Sequence, residues 1–126
     1  MLQHRIRRRA GATILVAAAL LLAGCAGTPS GAAVVGVWGS TASGQPNLNI
    51  ESDGTFSGTD GCNRLSGQGQ IDGNEITFGS IASTMMACQG VDTWLSKAAT
   101  GNVSGDTMTV LDDGGSTIGT LKRSGA

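Results

Sequence analysis

Three cysteines set out the reactive chemistry open to this chain. Cys25, Cys62 and Cys88 are its only thiols, and its one histidine, His4, stands near the start. A thiolate can take an acyl or alkyl group, pair with a second thiol, or ligate a metal. Cys62 and Cys88 are widely separated, and neither belongs to a Cys-x-x-Cys pair. Two such cysteines fall short of a zinc signature, and no flanking base favours redox catalysis. In an oxidising compartment a structural disulfide is the leading reading, with free buried thiols or a metal as alternatives. Closing a loop of about 27 residues would be worth up to ~3.5 kcal/mol by chain entropy. No metal and no cofactor are expected.

The most polar cluster surrounds the second cysteine, in Asp60-Gly61-Cys62-Asn63-Arg64. It reads in two ways. As a binding edge, Arg64 would meet an anionic group, Asn63 would offer amide bonds, and Asp60 would complete the edge. As a tight turn, Gly61 would supply positive φ, Asn63 would bond local backbone, and Arg64 would pair with Asp60 or another acid. Turn chemistry explains every member and is preferred. Hydrolytic sites are hard to assemble. Without a histidine beyond the leader there is no Ser-His-Asp or Cys-His site. Asp112-Asp113 reads as a solvated turn, because adjacent side chains diverge. Ser-Lys chemistry with Lys97 or Lys122 stays open. Met85-Met86 could form a soft contact surface, but core filling is the more ordinary role. The expectation is no enzyme and no catalytic residue.

Cys25 has a different setting. Met1 to Arg9 holds four arginines, and Ala10 to Ala23 is an uncharged run. Those residues would span about 21 Å as a helix, short of a hydrocarbon core of about 30 Å. A basic start and a short apolar run read as a secretory signal. The run ends in Leu22-Ala23-Gly24-Cys25, which resembles the bacterial lipobox. Small residues let a peptidase reach the backbone, and the thiolate can accept a diacylglyceryl group. Residues 1–24 are therefore expected to be a lipoprotein signal peptide, with Cys25 lipidated. Residues 25–33 have the composition of a tether, and 34–124 would form the domain. The arginines also admit a twin-arginine route, but their flanks favour general secretion. The expected location is a cell membrane, on its non-cytoplasmic side.

Charge and composition narrow the partners. The chain carries eight basic and nine acidic residues, for a formal charge of −1. Four of the basic residues fall in the leader, so the remainder carries four against nine, a charge of −5. There is no basic patch, and Trp38, Phe56, Phe78 and Trp94 are the only aromatics, so a nucleic-acid partner is not expected. Length allows one modest core.

Short strands must position these groups. Asn47 to Glu51 alternates, with Leu48 and Ile50 on one face. Ser52-Asp53-Gly54 is a turn signal leading into Thr55 to Thr59. Leu65, Gly67, Gly69 and Ile71 share a face, and the two glycines there predict close backbone approach or a sharp bend. Ile71 to Phe78 and Val103 to Val110 repeat one pattern: apolar residue, Gly turn, alternating strand. Ser116 to Lys122 makes a last strand, whose mismatched Ile118 and Leu121 predict a bulge near Gly119. Val91, Trp94, Leu95 and Ala98 follow helical spacing, which predicts one short amphipathic helix stopped by Gly101. Both tryptophans are expected in the core.

Gly61-Cys62-Asn63-Arg64-Leu65-Ser66-Gly67 resembles the GCNR signature of the META domain, or HslJ-like, family. Ser83-Thr84-Met85-Met86-Ala87-Cys88 resembles that family's second signature, and Gly36-Val37-Trp38 its opening strand. Leu65 stands where Phe is common in the family. The resemblance implies a mainly β fold with one α-helix, a compact antiparallel, barrel-like sheet of seven or eight short strands. It also implies a link to heat-shock and envelope stress, and to novobiocin resistance in HslJ itself. No catalytic residues come with it. The expectation is a monomeric, membrane-anchored envelope module that binds an unknown envelope protein or small molecule. The alternatives are an inhibitor of an envelope-directed hydrolase, which predicts an exposed rigid loop, and an unrecognised enzyme.

Overall fold

The polar–apolar alternation is realised strand by strand in a computed structural model, which describes residues 33–125. The leader and Cys25 lie outside the described residues. Ten strands are formed: β1 (Gly36–Gly39), β2 (Asn47–Ile50), β3 (Thr55–Thr59), β4 (Arg64–Gln68), β5 (Gln70–Asp72), β6 (Glu75–Thr77), β7 (Ala82–Ser83), β8 (Thr100–Ser104), β9 (Thr107–Leu111) and β10 (Thr117–Gly125). They make one antiparallel sheet in the order β5-β6-β8-β9-β10-β1-β2-β3-β4-β7. Gly69 alone separates β4 from β5, so strands near opposite ends of that order are adjacent in sequence and the sheet curls around its core.

The inward face carries Trp38, Leu48, Ile50, Phe56, Ile76 and Phe78, all at most 2% exposed. Phe56 and Phe78 meet edge to face, with ring centroids 5.2 Å apart. The repeated pattern in the sequence becomes two hairpins, β5–β6 and β8–β9, turned at Gly73 (φ 60°) and Gly105 (φ 59°). A two-residue hairpin loop of this kind needs positive φ, which glycine adopts without penalty.

The strand count exceeds the seven or eight expected because the chain from Leu65 to Ile71 is two strands and because Ala82–Ser83 adds a short unexpected strand, β7, paired with β4. A Cβ on Gly67 would lie 2.5 Å from the Phe56 ring, and one on Gly69 would lie 2.9 Å from Ile76. Close approach and a break therefore occur together. The register between β9 and β10 shifts between Thr117 and Gly119, which is the expected bulge.

The expected α-helix over Val91 to Ala98 is a correction. Only Trp94–Lys97 turns, as a 3₁₀ segment, and Thr93 gives it no side-chain cap. Ala98 is already extended, Ala99 N–H donates to Leu111 O, and Phe78 N–H donates to Ala99 O. The sheet thus claims the backbone that a second helical turn would need, and so short a helix is marginal by itself. Leu95 and Ala98 still reach the core, and Trp94 packs half-buried against it. Gly101 is not a helix stop. It lies inside β8, where the Met108 thioether occupies the space of a Cβ.

Candidate functional site

The turn between β3 and β4 is built around a buried carboxylate. Asp60 is 0% exposed, and its Oδ1 accepts from the N–H groups of Cys62 (2.9 Å) and Asn63 (2.6 Å). Thr59 Oγ1 donates to Asn63 O (2.7 Å) and accepts from Gly61 N–H (3.0 Å). Gly61 has φ 101°, and a Cβ there would lie 2.7 Å from Gly44 O. Asp60 Oδ2 is buried with no hydrogen-bond partner among the described residues.

Asn63, itself 9% exposed, carries the turn's rigidity to the segment after β7. Its Oδ1 accepts from Met86 N–H (2.6 Å) and from the Thr84 hydroxyl (3.1 Å), while Nδ2 donates to Met86 O (3.3 Å). Arg64 N–H donates to Thr84 Oγ1 (3.0 Å), and Thr84 N–H donates to Arg64 O (3.2 Å). Cys62 and Cys88 are joined by a disulfide with Cα atoms 5.8 Å apart. Cys62 Sγ also lies 3.6 Å from Met86 O, a contact and not a hydrogen bond, since a bridged sulfur carries no proton. Thr84, Met86 and Cys88 are thereby tied to the turn at every second residue.

The two methionines are where expectation and structure part. Core filling is overturned: Met85 is 96% exposed and Met86 60%. The backbone is fixed at Met86 by Asn63 and on the other side of Met85 by the Thr84–Arg64 bonds, and both side chains stand outward against the usual preference of apolar groups. Arg64 is exposed, and it makes no ion pair among the described residues; the one there joins Arg123 Nε to Asp106 at 3.9 Å. Asp60 and Asn63 face the turn and the Met86 backbone, leaving Arg64 as the cluster's solvent-facing charge. Two shallow depressions flank it. One, of about 370 Å³, is lined by Arg64, Ser66, Ser83 and Thr84 among others. The other, of about 320 Å³, is lined by Thr59, Cys62, Arg64, Thr84 and Met86.

A second cluster went unread in the sequence. Arg123, on β10, places its guanidinium 4.2 Å over the Trp38 ring. It donates to Val35 O at 2.9 Å and to Ala33 O. Trp38 Nε1–H donates to Val34 O at 2.8 Å. Three successive carbonyls at the start of the domain are therefore held by one Arg–Trp pair. The signal was available: the inward parity of Leu121 continues through Arg123, but a charged residue there reads as the end of a strand.

Comparison with known proteins gives a family and a fold. The model of the META domain matches residues 29–125. A solved NMR structure matches with a TM-score of 0.52 at 19% identity, covering 70% of this chain and 88% of its own. At that identity the likeness is one of fold alone. No curated protein matches the chain.

Proposed function

The chain belongs to the META domain family, and from that premise we propose that it is a membrane-anchored lipoprotein of the bacterial envelope that supports stress or antibiotic tolerance by binding, without catalysis. The observation that carries binding is the exposed Met85-Met86 pair, held by a turn whose own polar groups are buried. A rigid backbone lowers the ordering cost of association, and methionine adapts to the shape it meets. The Leu22-Ala23-Gly24-Cys25 sequence supports lipidation at Cys25 and a place on the non-cytoplasmic face of a membrane. A domain of charge −5 is repelled by anionic headgroups, so its attachment would come from acyl chains and not from a basic surface.

The test joins both parts. Cells lacking the protein are challenged with novobiocin and with heat, then complemented with the native chain or with Cys25→Ser. The native chain is expected to label with a fatty-acid analogue, fractionate with membranes and restore tolerance. Cys25→Ser is expected to do none of these. Equal restoration by the unlabelled variant would defeat the anchored reading. The second reading, an inhibitor of an envelope-directed hydrolase, is favoured by the same loop, which is exposed and rigidly held.

A further inference from the structure

Resting on that binding reading, we propose that the Met85–Met86 peptide bond is offered, substrate-like, to a serine endopeptidase with an apolar primary pocket, and that the domain thereby inhibits it. Met85 would fill the pocket: it is 96% exposed, unbranched and apolar. Neither its backbone N–H nor its C=O has a hydrogen-bond partner among the described residues, so both are free to pair with a cleft in the manner of an added strand. On either side the chain is fixed, by Thr84 to Arg64 and by Met86 to Asn63. The enzyme would meet a segment held on both sides and not a loop that must be ordered first.

The same contacts make cleavage reversible. In the forward step the enzyme's serine oxygen adds to Met85 C=O. The serine proton passes through the enzyme's base to Met86 nitrogen as the C–N bond breaks, leaving an acyl-enzyme on Met85 and a free amine on Met86. That nitrogen is the atom bonded to Asn63 Oδ1, and Met86 O is bonded to Asn63 Nδ2. The disulfide joins the downstream side to Cys62, next in sequence to Asn63. The amine stays beside the ester at high effective concentration, so its return, which reforms the peptide bond and gives the proton back to serine, outruns attack by water. An ordinary substrate loses its leaving amine to solvent. Charge adds selectivity: residues 79–91 contain no charged side chain, and Arg64 stands exposed beside the segment. That arrangement favours an enzyme with an apolar pocket and an acidic rim.

The test uses the full chain against a chymotrypsin-type and a trypsin-type endopeptidase. The native chain is expected to inhibit the first at stoichiometric concentration, with slow cleavage confined to Met85–Met86. Met85→Arg changes an exposed side chain and should leave melting unaltered. It is expected to weaken inhibition of the chymotrypsin-type enzyme about 100-fold and to confer inhibition of the trypsin-type enzyme. Asn63→Ala, compared at equal folded fraction, is expected to be cleaved about 10-fold faster at the same bond, as the leaving amine is no longer held. Absence of inhibition, cleavage elsewhere in the chain, or indifference to Met85→Arg would overturn the proposal. Should Met85→Arg fail on both enzymes yet restore tolerance in cells, the binding reading would stand and the inhibitory loop would fall.

Discussion

Asp53 shows how one exposed side chain can set a turn. Its Oδ1 accepts from Thr55 N–H at 2.9 Å, and Gln68 Nε2 donates to Asp53 O at 2.6 Å, tying the β2–β3 turn to the end of β4. The Thr55 backbone bond, assisted by the Thr55 side chain, holds the Asp53 carboxyl below the ordinary carboxylate value. Because the folded state favours the ionised form, Asp53 contributes stability above its unfolded pKa. That contribution is lost as pH falls through the folded pKa. The side chain is fully solvated, so the effect is screened and small. Asp53→Asn is therefore expected to lower stability slightly near neutrality and to match the native chain below the folded pKa, which flattens the acid limb of the stability–pH profile. Urea midpoints measured from pH 7 down to pH 2 check it. An acid limb as steep in the variant as in the native chain would show that other carboxylates carry the whole of the acid sensitivity.

Among the elements, the segment before β8 shows most clearly what sequence alone could and could not tell. The i, i+3, i+4, i+7 spacing correctly sends Leu95 and Ala98 inward, yet the chain meets that demand with one 3₁₀ turn and an extended Ala98. Spacing reports which side chains must be buried. It does not report that Leu111 and Phe78 will compete for the backbone at Ala99, because those partners are distant in sequence. The same limit hid the methionines. Apolar composition reads as core until Asn63 is seen holding the Met86 backbone from 23 residues away. By contrast the alternating strands, both Gly-turned hairpins and the Gly119 bulge were legible, since each is written in neighbouring residues. Gly119 also receives Trp94: a Cβ there would lie 2.6 Å from the indole ring, although its φ is not positive. Gly73 is the opposite case, with φ +60° and nothing within 4 Å. Gly119→Ala is expected to cost about 1–3 kcal/mol by overpacking, with altered Trp near-UV dichroism. Gly73→Ala should cost about 1–2 kcal/mol through backbone strain and leave that signal unchanged. Identical near-UV spectra for both variants would mean that the indole does not need the space.

For the whole molecule, the β1–β10 seam decides whether the curled sheet unfolds as one unit. β10 pairs with β9 over Thr117 to Lys122, and its last residues cross to β1 through Trp38↔Arg123 and Val37↔Gly125. Those two register pairs join the β5-to-β10 half of the sheet to the β1-to-β7 half. Arg123 reinforces the seam by stacking on Trp38 and by holding Ala33 O and Val35 O, whereas its 3.9 Å approach to a highly exposed Asp106 adds little. Ending the chain after Lys122 removes no apolar core side chain, so any loss reports the seam and not the core. Two charge-assisted hydrogen bonds at about 1.5 kcal/mol each and a cation–π contact near 1 kcal/mol give an expected cost of roughly 3–4 kcal/mol. Against a total of about 5–15 kcal/mol for a domain, that is a large share. With the seam weakened, the halves should also uncouple, so Trp fluorescence is expected to change at lower urea than far-UV dichroism. In the native chain the two transitions should coincide. Coincident transitions in the shortened chain, with a cost below about 1 kcal/mol, would show that the shared core alone couples the halves, since a lost seam of this size could not otherwise go unnoticed.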